Sequence, residues 1–188
     1  MKKSNAFFLM SLILLGAATF VSCEKEEVDN EKPVIRLIAP EEDEAIRPGS
    51  DIHFEVEFSD NVGLASYKVN IHGAFDGHTH SAAVQGTALG TNDSVDGTRA
   101  ESDDTESEAF EKTWFESDFI ALGDEPIAGK RNARVHHHHI VIPETVNGKP
   151  VKEGHYHFLV YCTDESGLES FIAREIIISA DAEEHHHH

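Results

Sequence analysis

From Asp51 to Ser59 the chain alternates without a break: Ile52, Phe54, Val56 and Phe58 are apolar, and His53, Glu55 and Glu57 stand between them. Successive side chains of a strand point to opposite faces, so this segment reads as a strand with one buried face and one wet face. Leu64 to His72 repeats the pattern, with Tyr67, Val69 and Ile71 inward and Ser66, Lys68, Asn70 and His72 outward. Ser59-Asp60-Asn61-Val62-Gly63 is the turn between them. A sheet of such strands must cover its apolar face, and a second sheet does that most directly.

The rest of the chain supplies candidates for it. Val34 to Ala39 lies between Pro33 and Pro40 and reads as an opening edge strand. His155 to Thr163 carries Tyr156, Phe158, Val160 and Cys162 on one face, and Ser170 to Ser179 is the last strand. Val135 to Ile142 is a strand stopped by Pro143, and Trp114, Phe115, Phe119, Ile120 and Leu122 suggest another, bulged or plain. No amphipathic helix of any length is expected. Asn147-Gly148-Lys149-Pro150 is a turn. Residues 73 to 109 are rich in Gly, Ser, Thr and acids, with almost no large apolar side chain after Phe75. They read as a long acidic insertion after the third strand. Two corners echo each other, Ser59-Asp60-x-x-Gly63-Leu64 and Thr163-Asp164-x-x-Gly167-Leu168.

About seven short strands separated by turns predict an all-β, Ig-like β-sandwich over residues 33–179. Gly154-x-Tyr156-x-Phe158 resembles the tyrosine corner that opens the sixth strand of Ig-like domains, with Phe158 where antibodies carry a cysteine. Ile52-x-Phe54-x-Val56-x-Phe58 suits the second strand. Such a fold carries no function by itself.

The 14 histidines do suggest one. His78 and His80, the run His136 to His139, and His155 and His157 each contain a His-x-His step; His53 and His72 stand alone, and His185 to His188 follow the domain. On a strand, residues i and i+2 share a face about 6–7 Å apart, so two imidazoles can converge on one ion. In an Ig-like sandwich the third strand ends where its neighbour, the sixth, begins. His72, His155 and His157 should therefore share an outer face, with His78 and His80 on the loop beyond and Asp76 as an optional oxygen ligand. The fifth strand ends and the second starts at that pole, bringing His139 and His53 near. The expected ligands are His72, His78, His80, His155 and His157, joined by His137 and His139 from the run. The phase of that run is open, and so is a division into two sites. His53 itself reads as an exposed strand residue, and His185 to His188 as a mobile metal-catching tail rather than a truncated purification tag. Nitrogen donors of this kind favour zinc, with copper and nickel as alternatives.

Met1-Lys2-Lys3 precedes an apolar run from Ala6 to Val21, shorter than the roughly 20 residues of a comfortable membrane span. It reads as a secretory signal peptide over residues 1–22. Thr19-Phe20-Val21-Ser22-Cys23 resembles a bacterial lipoprotein signal, which implies lipidation of Cys23 and anchoring through buried acyl chains; Phe20 departs from the usual Leu-like residue. Residues 23–32 form an acidic tether, and Lys25-Glu26-Glu27 is similar to the surface-export signal of Bacteroidota lipoproteins. That resemblance implies an outer-membrane protein facing the cell surface. His72 through His80, with Phe58-Ser59-Asp60-Asn61 and Gly154-His155-Tyr156-His157, resembles an uncharacterised family of His-rich, Ig-like Bacteroidota lipoproteins. The resemblance implies fold and location and brings no assigned activity.

With 35 acidic against 15 basic side chains, the chain has a formal charge of −20 and repels nucleic acid and anionic headgroups alike. Cys162 lies in an apolar run and reads as a buried, inert thiol. Asn92-x-Ser94-x-Asp96-Gly97 with Asp103 only faintly echoes a calcium loop, and a solvated acidic loop is the better reading. No phosphate loop, nucleophile elbow or His-Glu-x-x-His motif is present.

The expectation is a lipid-anchored protein that captures or buffers a divalent transition metal. The competing class is an interaction module with a glycan, a protein or an outer-membrane transporter as partner, its metal incidental or structural. A metal-dependent enzyme would need a poised acid or base; Glu153 or Asp76 could serve, but nothing singles them out, and the expectation is no enzyme.

Overall fold

The computed structural model describes residues 29–75 and 107–183. The leader and Cys23, the ligand candidates Asp76, His78 and His80, the loop around Asn92 to Asp103, and His185 to His188 lie outside the described residues.

In chain order the elements are β1 (Val34–Ala39), β2 (Glu44–Ile46), β3 (Asp51–Ser59), β4 (Leu64–Gly73), β5 (Glu111–Phe115), α1 (Glu116–Ala121), β6 (Asn132–Val141), β7 (Thr145–Val146), β8 (Lys149–Pro150), β9 (Gly154–Asp164) and β10 (Glu169–Ile178). One sheet has the order β1-β3-β6 and the other β2-β10-β9-β4-β5, with β7-β8 a separate hairpin. The two sheets form the expected Ig-like sandwich. The alternation of β3 holds: Ile52, Phe54, Val56 and Phe58 are fully or almost fully buried. Phe54 meets Phe158 across the core at 5.8 Å between ring centroids, and Phe58 meets Tyr67 at 5.3 Å. Burying each such ring contributes roughly 1.5–3 kcal/mol, so this aromatic layer is the main cement between the sheets.

The tyrosine corner is also present. The Tyr156 hydroxyl donates to the Lys152 carbonyl at 2.7 Å and accepts the Phe110 N–H at 3.3 Å. Asn147 and Gly148 take positive φ values of 50° and 81°, the pair of left-handed residues a tight hairpin between β7 and β8 needs.

Two features differ from the sequence reading. The chain leaves the first sheet after β1 and joins the second as β2, parallel to β10. Three residues are too few for a period to be read. The segment Trp114 to Leu122 is not one strand. Trp114 lies in β5 opposite Val69, Phe115 ends the strand opposite Lys68, and the chain then turns into the six-residue helix α1. The Asp118 carboxylate accepts the Phe115 N–H at 2.8 Å, and the buried Glu116 accepts the Ile127 N–H at 2.7 Å. Phe119 drops into the core, nearly parallel to Tyr67 at 5.7 Å, while Ile120 and Leu122 stay exposed. Fewer than two helical turns cannot declare a 3.6-residue period in sequence.

Candidate metal centre

The His136–His139 run has a phase conflict that the sheet must resolve. Val135, at an odd position, is buried, and so are Ile140 and Ile142 at even positions. A strand with strict period two cannot bury all three. β6 shifts phase through a bulge: Ile52 pairs with Ile140 and Phe54 with His137, so His53 alone faces both His138 and His139.

The bulge puts His136 and His138 on the outer face of β6, beside His53 of β3. Ring centroids are 5.0 Å apart for His53 and His136, 5.1 Å for His53 and His138, and 5.8 Å for His136 and His138. Each ring offers one nitrogen, and the three nitrogens lie within 4.8 Å of one another. Two nitrogens on one tetrahedral zinc sit about 3.3 Å apart, so modest rotamer adjustment closes the set. His138 is already oriented: its Nδ1 lies 2.8 Å from Asp51 Oδ2, which leaves Nε2 to face an ion. Glu55 lies 3.7 Å from His53 Nε2 and also pairs with Arg134. His136 is exposed and the other two rings are half-buried, so solvent reaches the cluster.

His137 and His139 lie on the other side of the strand. His137 packs against Phe54 at 5.0 Å and Phe119 at 4.4 Å, with its side chain only 2% exposed. Its Nδ1 accepts the His139 N–H at 3.3 Å. Asp124 stands 3.8 Å from His137 Nε2 and 3.6 Å from His139 Nε2, beyond hydrogen-bond length in both cases. Burial lowers the His137 pKa to about 4, overriding the opposing pull of the Asp124 carboxylate.

On the five-stranded sheet, β4 and β9 are the antiparallel neighbours the fold implies. His72 and His157 are register partners with rings 5.3 Å apart, on the outer face. Asn70 Oδ1 lies 2.6 Å from His72 Nδ1. The same cross-strand row continues to Glu175 of β10, which lies 2.6 Å from His155 Nδ1. Asp43, His155 and Glu175 form a second group with ligand atoms within 4.8 Å. His72, His155 and His157 therefore share a face as expected. His53 and the end of the His136–His139 run lie toward the same end of the sandwich but on the other, three-stranded sheet, so the described imidazoles fall into groups on two faces.

Sequence reasoning missed the parity of the run and therefore the grouping of His53, His136 and His138. The conflict between Val135 and Ile140 was the available signal. Asp51, the residue before Ile52, is also part of the arrangement, because strand pairing places it opposite Val141 at the end of β6.

Fold and site define an all-β, Ig-like sandwich whose outer faces carry groups of imidazoles and carboxylates with the donor set of a metal ligand. The chain belongs to the family of the domain of unknown function DUF4625, whose model matches residues 21–179. No curated protein matches it.

Proposed function

We propose that this protein captures or buffers a divalent transition metal, zinc foremost and copper or nickel next, at His53, His136 and His138. The observation that carries this reading is the approach of three nitrogens to within 4.8 Å from two neighbouring strands. Two come from one strand at i and i+2 and the third from the strand paired with it, so a rigid sheet sets their spacing. Half-exposed donors and an open fourth position suit an ion that exchanges with solvent or a partner rather than one locked into the fold. The net charge of −20 raises the local concentration of cations around the site. Imidazole binds metal in its neutral form, so capture at neutral pH should give way to release near pH 6 and below.

The physiological setting we propose is a lipid anchor at Cys23 in the outer membrane, with the domain facing the cell surface and an outer-membrane transporter as a recipient. Among the described residues no helix is long and apolar enough to cross a membrane.

Calorimetric titration of the full chain in detergent with zinc, copper and nickel tests the site. Alanine at His53, His136 or His138 should each weaken zinc binding about ten-fold or more at pH 7.5. Equal affinity in all three variants, or equal retention of the protein on a zinc column at pH 7.5 and 5.5, would refute the reading.

A further inference from the structure

The two corners that echo each other in sequence also meet in space. Asp60, in the β3–β4 corner, accepts the Val62 and Gly63 N–H groups on Oδ1 at 2.8 and 2.7 Å. Asp164, in the β9–β10 corner, accepts the Leu168 N–H on Oδ1 at 2.8 Å. The corners are tied by the Glu165 N–H, which donates to the Gly63 carbonyl at 2.8 Å. Both corners then reach the segment ahead of β1: Asn61 Nδ2 donates to Asp29 Oδ1 at 3.1 Å, and Ser166 Oγ donates to Asp29 Oδ2 at 3.2 Å.

Each of Asp29, Asp60 and Asp164 presents a carboxylate oxygen, and these three oxygens lie within 4.8 Å of one another. Asp164 is only 1% exposed. Its Oδ2 is buried and meets no hydrogen-bond donor among the described residues, and the same holds for Asp60 Oδ2. An ionised oxygen removed from water without a donor costs several kcal/mol unless a cation offsets it. Among the described residues no lysine or arginine pairs with any of the three carboxylates. The Glu31 N–H also donates to Asp29 Oδ1, at 3.1 Å.

From this geometry we infer that Asp29, Asp60 and Asp164 bind a calcium ion that fastens the chain ahead of β1 to this end of the sandwich. Three carboxylates with no nitrogen or sulfur donor select a hard cation. Calcium–oxygen distances of about 2.4 Å allow two ligand oxygens to stand up to about 4.8 Å apart, which is the envelope of this group. Magnesium demands a tighter octahedron near 2.1 Å and keeps most of its water, so it fits the site less well. The site is independent of the imidazole cluster, which draws on other residues and another donor type.

The test is calcium titration of the full chain in detergent, after removal of divalent ions by chelation, followed by calorimetry and thermal melting. The expected result is one calcium per chain at this site, a rise in Tm on addition of calcium, and affinity lowered about ten-fold or more in Asp29→Asn and Asp60→Asn. His53→Ala should leave calcium binding within about two-fold of the parent. Asp164→Asn should abolish binding, but its buried position couples it to folding. Asp29→Asn, at a partly exposed residue ahead of β1 and outside every strand, decides the matter without that risk. No heat and no Tm shift up to millimolar calcium, or calcium binding unchanged in both Asp29→Asn and Asp60→Asn, would overturn the assignment.

Discussion

The imidazole of His53 stacks on that of His138 with centroids 5.1 Å apart and planes within 10° of parallel. His138 is steadied from behind by Asp51, whose Oδ2 lies 2.8 Å from its Nδ1. A carboxylate in that position fixes the ring's tautomer and raises its basicity as a ligand. Asp51→Asn should therefore weaken zinc binding about ten-fold while leaving Tm without metal within a degree or two, because Asp51 is exposed at the start of β3. Parallel zinc titrations and melting curves check both halves.

The opposite faces of the sandwich should act separately. His72→Ala and His155→Ala alter the outer face of the five-stranded sheet, whereas His53 belongs to the three-stranded one, and should leave the affinity of the three-imidazole cluster within about two-fold. A loss matching that of His53→Ala would mean that the faces communicate. Zinc titration of the single and paired variants measures this.

His137 makes stability depend on pH. Its pKa falls from 6.5 to about 4 on folding, so the unfolded chain binds a proton between those values while the folded chain does not. Proton uptake by the unfolded state favours unfolding. The stability present above pH 6.5 should thus decline as pH falls toward 4, by an amount on the order of 2 kcal/mol from this residue after allowing for the Asp124 side. His137→Leu should flatten that part of the profile, as read from urea midpoints at pH 7 and 4.5 without metal.

Tyr156→Phe removes a buried hydroxyl that serves both the Lys152 carbonyl and the Phe110 N–H. The expected cost is about 1–2 kcal/mol, since the ring remains and only its polar partners are lost. Equilibrium denaturation with an unchanged m-value would show that the fold itself persists.

Cys162 is fully buried and its thiol is pushed up to about 12, chiefly by burial and then by nearby carboxylates, Asp60 foremost. At pH 8 it should react with a thiol reagent at least about a hundred-fold more slowly than in urea. Rapid labelling of the native chain would contradict this.

The sandwich was largely legible because its strands declare themselves by period. β3 and the inner face of β9 needed only the alternation of Ile52, Phe54, Val56 and Phe58, and of Tyr156, Phe158, Val160 and Cys162. The corner at Tyr156 was legible from a local pattern, as was the pairing of β4 with β9 that sets His72 opposite His157. The short β2 and the helix α1 were not, because neither lasts long enough to repeat.

What the sequence by itself determined is which residues face inward along each regular strand, since a period of two is a local property of the backbone. Which imidazoles become neighbours was decided by tertiary structure alone. Val135 and Ile140 cannot both reach the core on an unbroken strand, and only packing against Phe54 and Ile52 shows where β6 gives way. That one displaced residue turns His136 and His138 toward His53 and leaves His137 against Phe119. The meeting of Asp29, Asp60 and Asp164 depends likewise on corners more than 100 residues apart in sequence, brought together because β4 and β9 pair antiparallel.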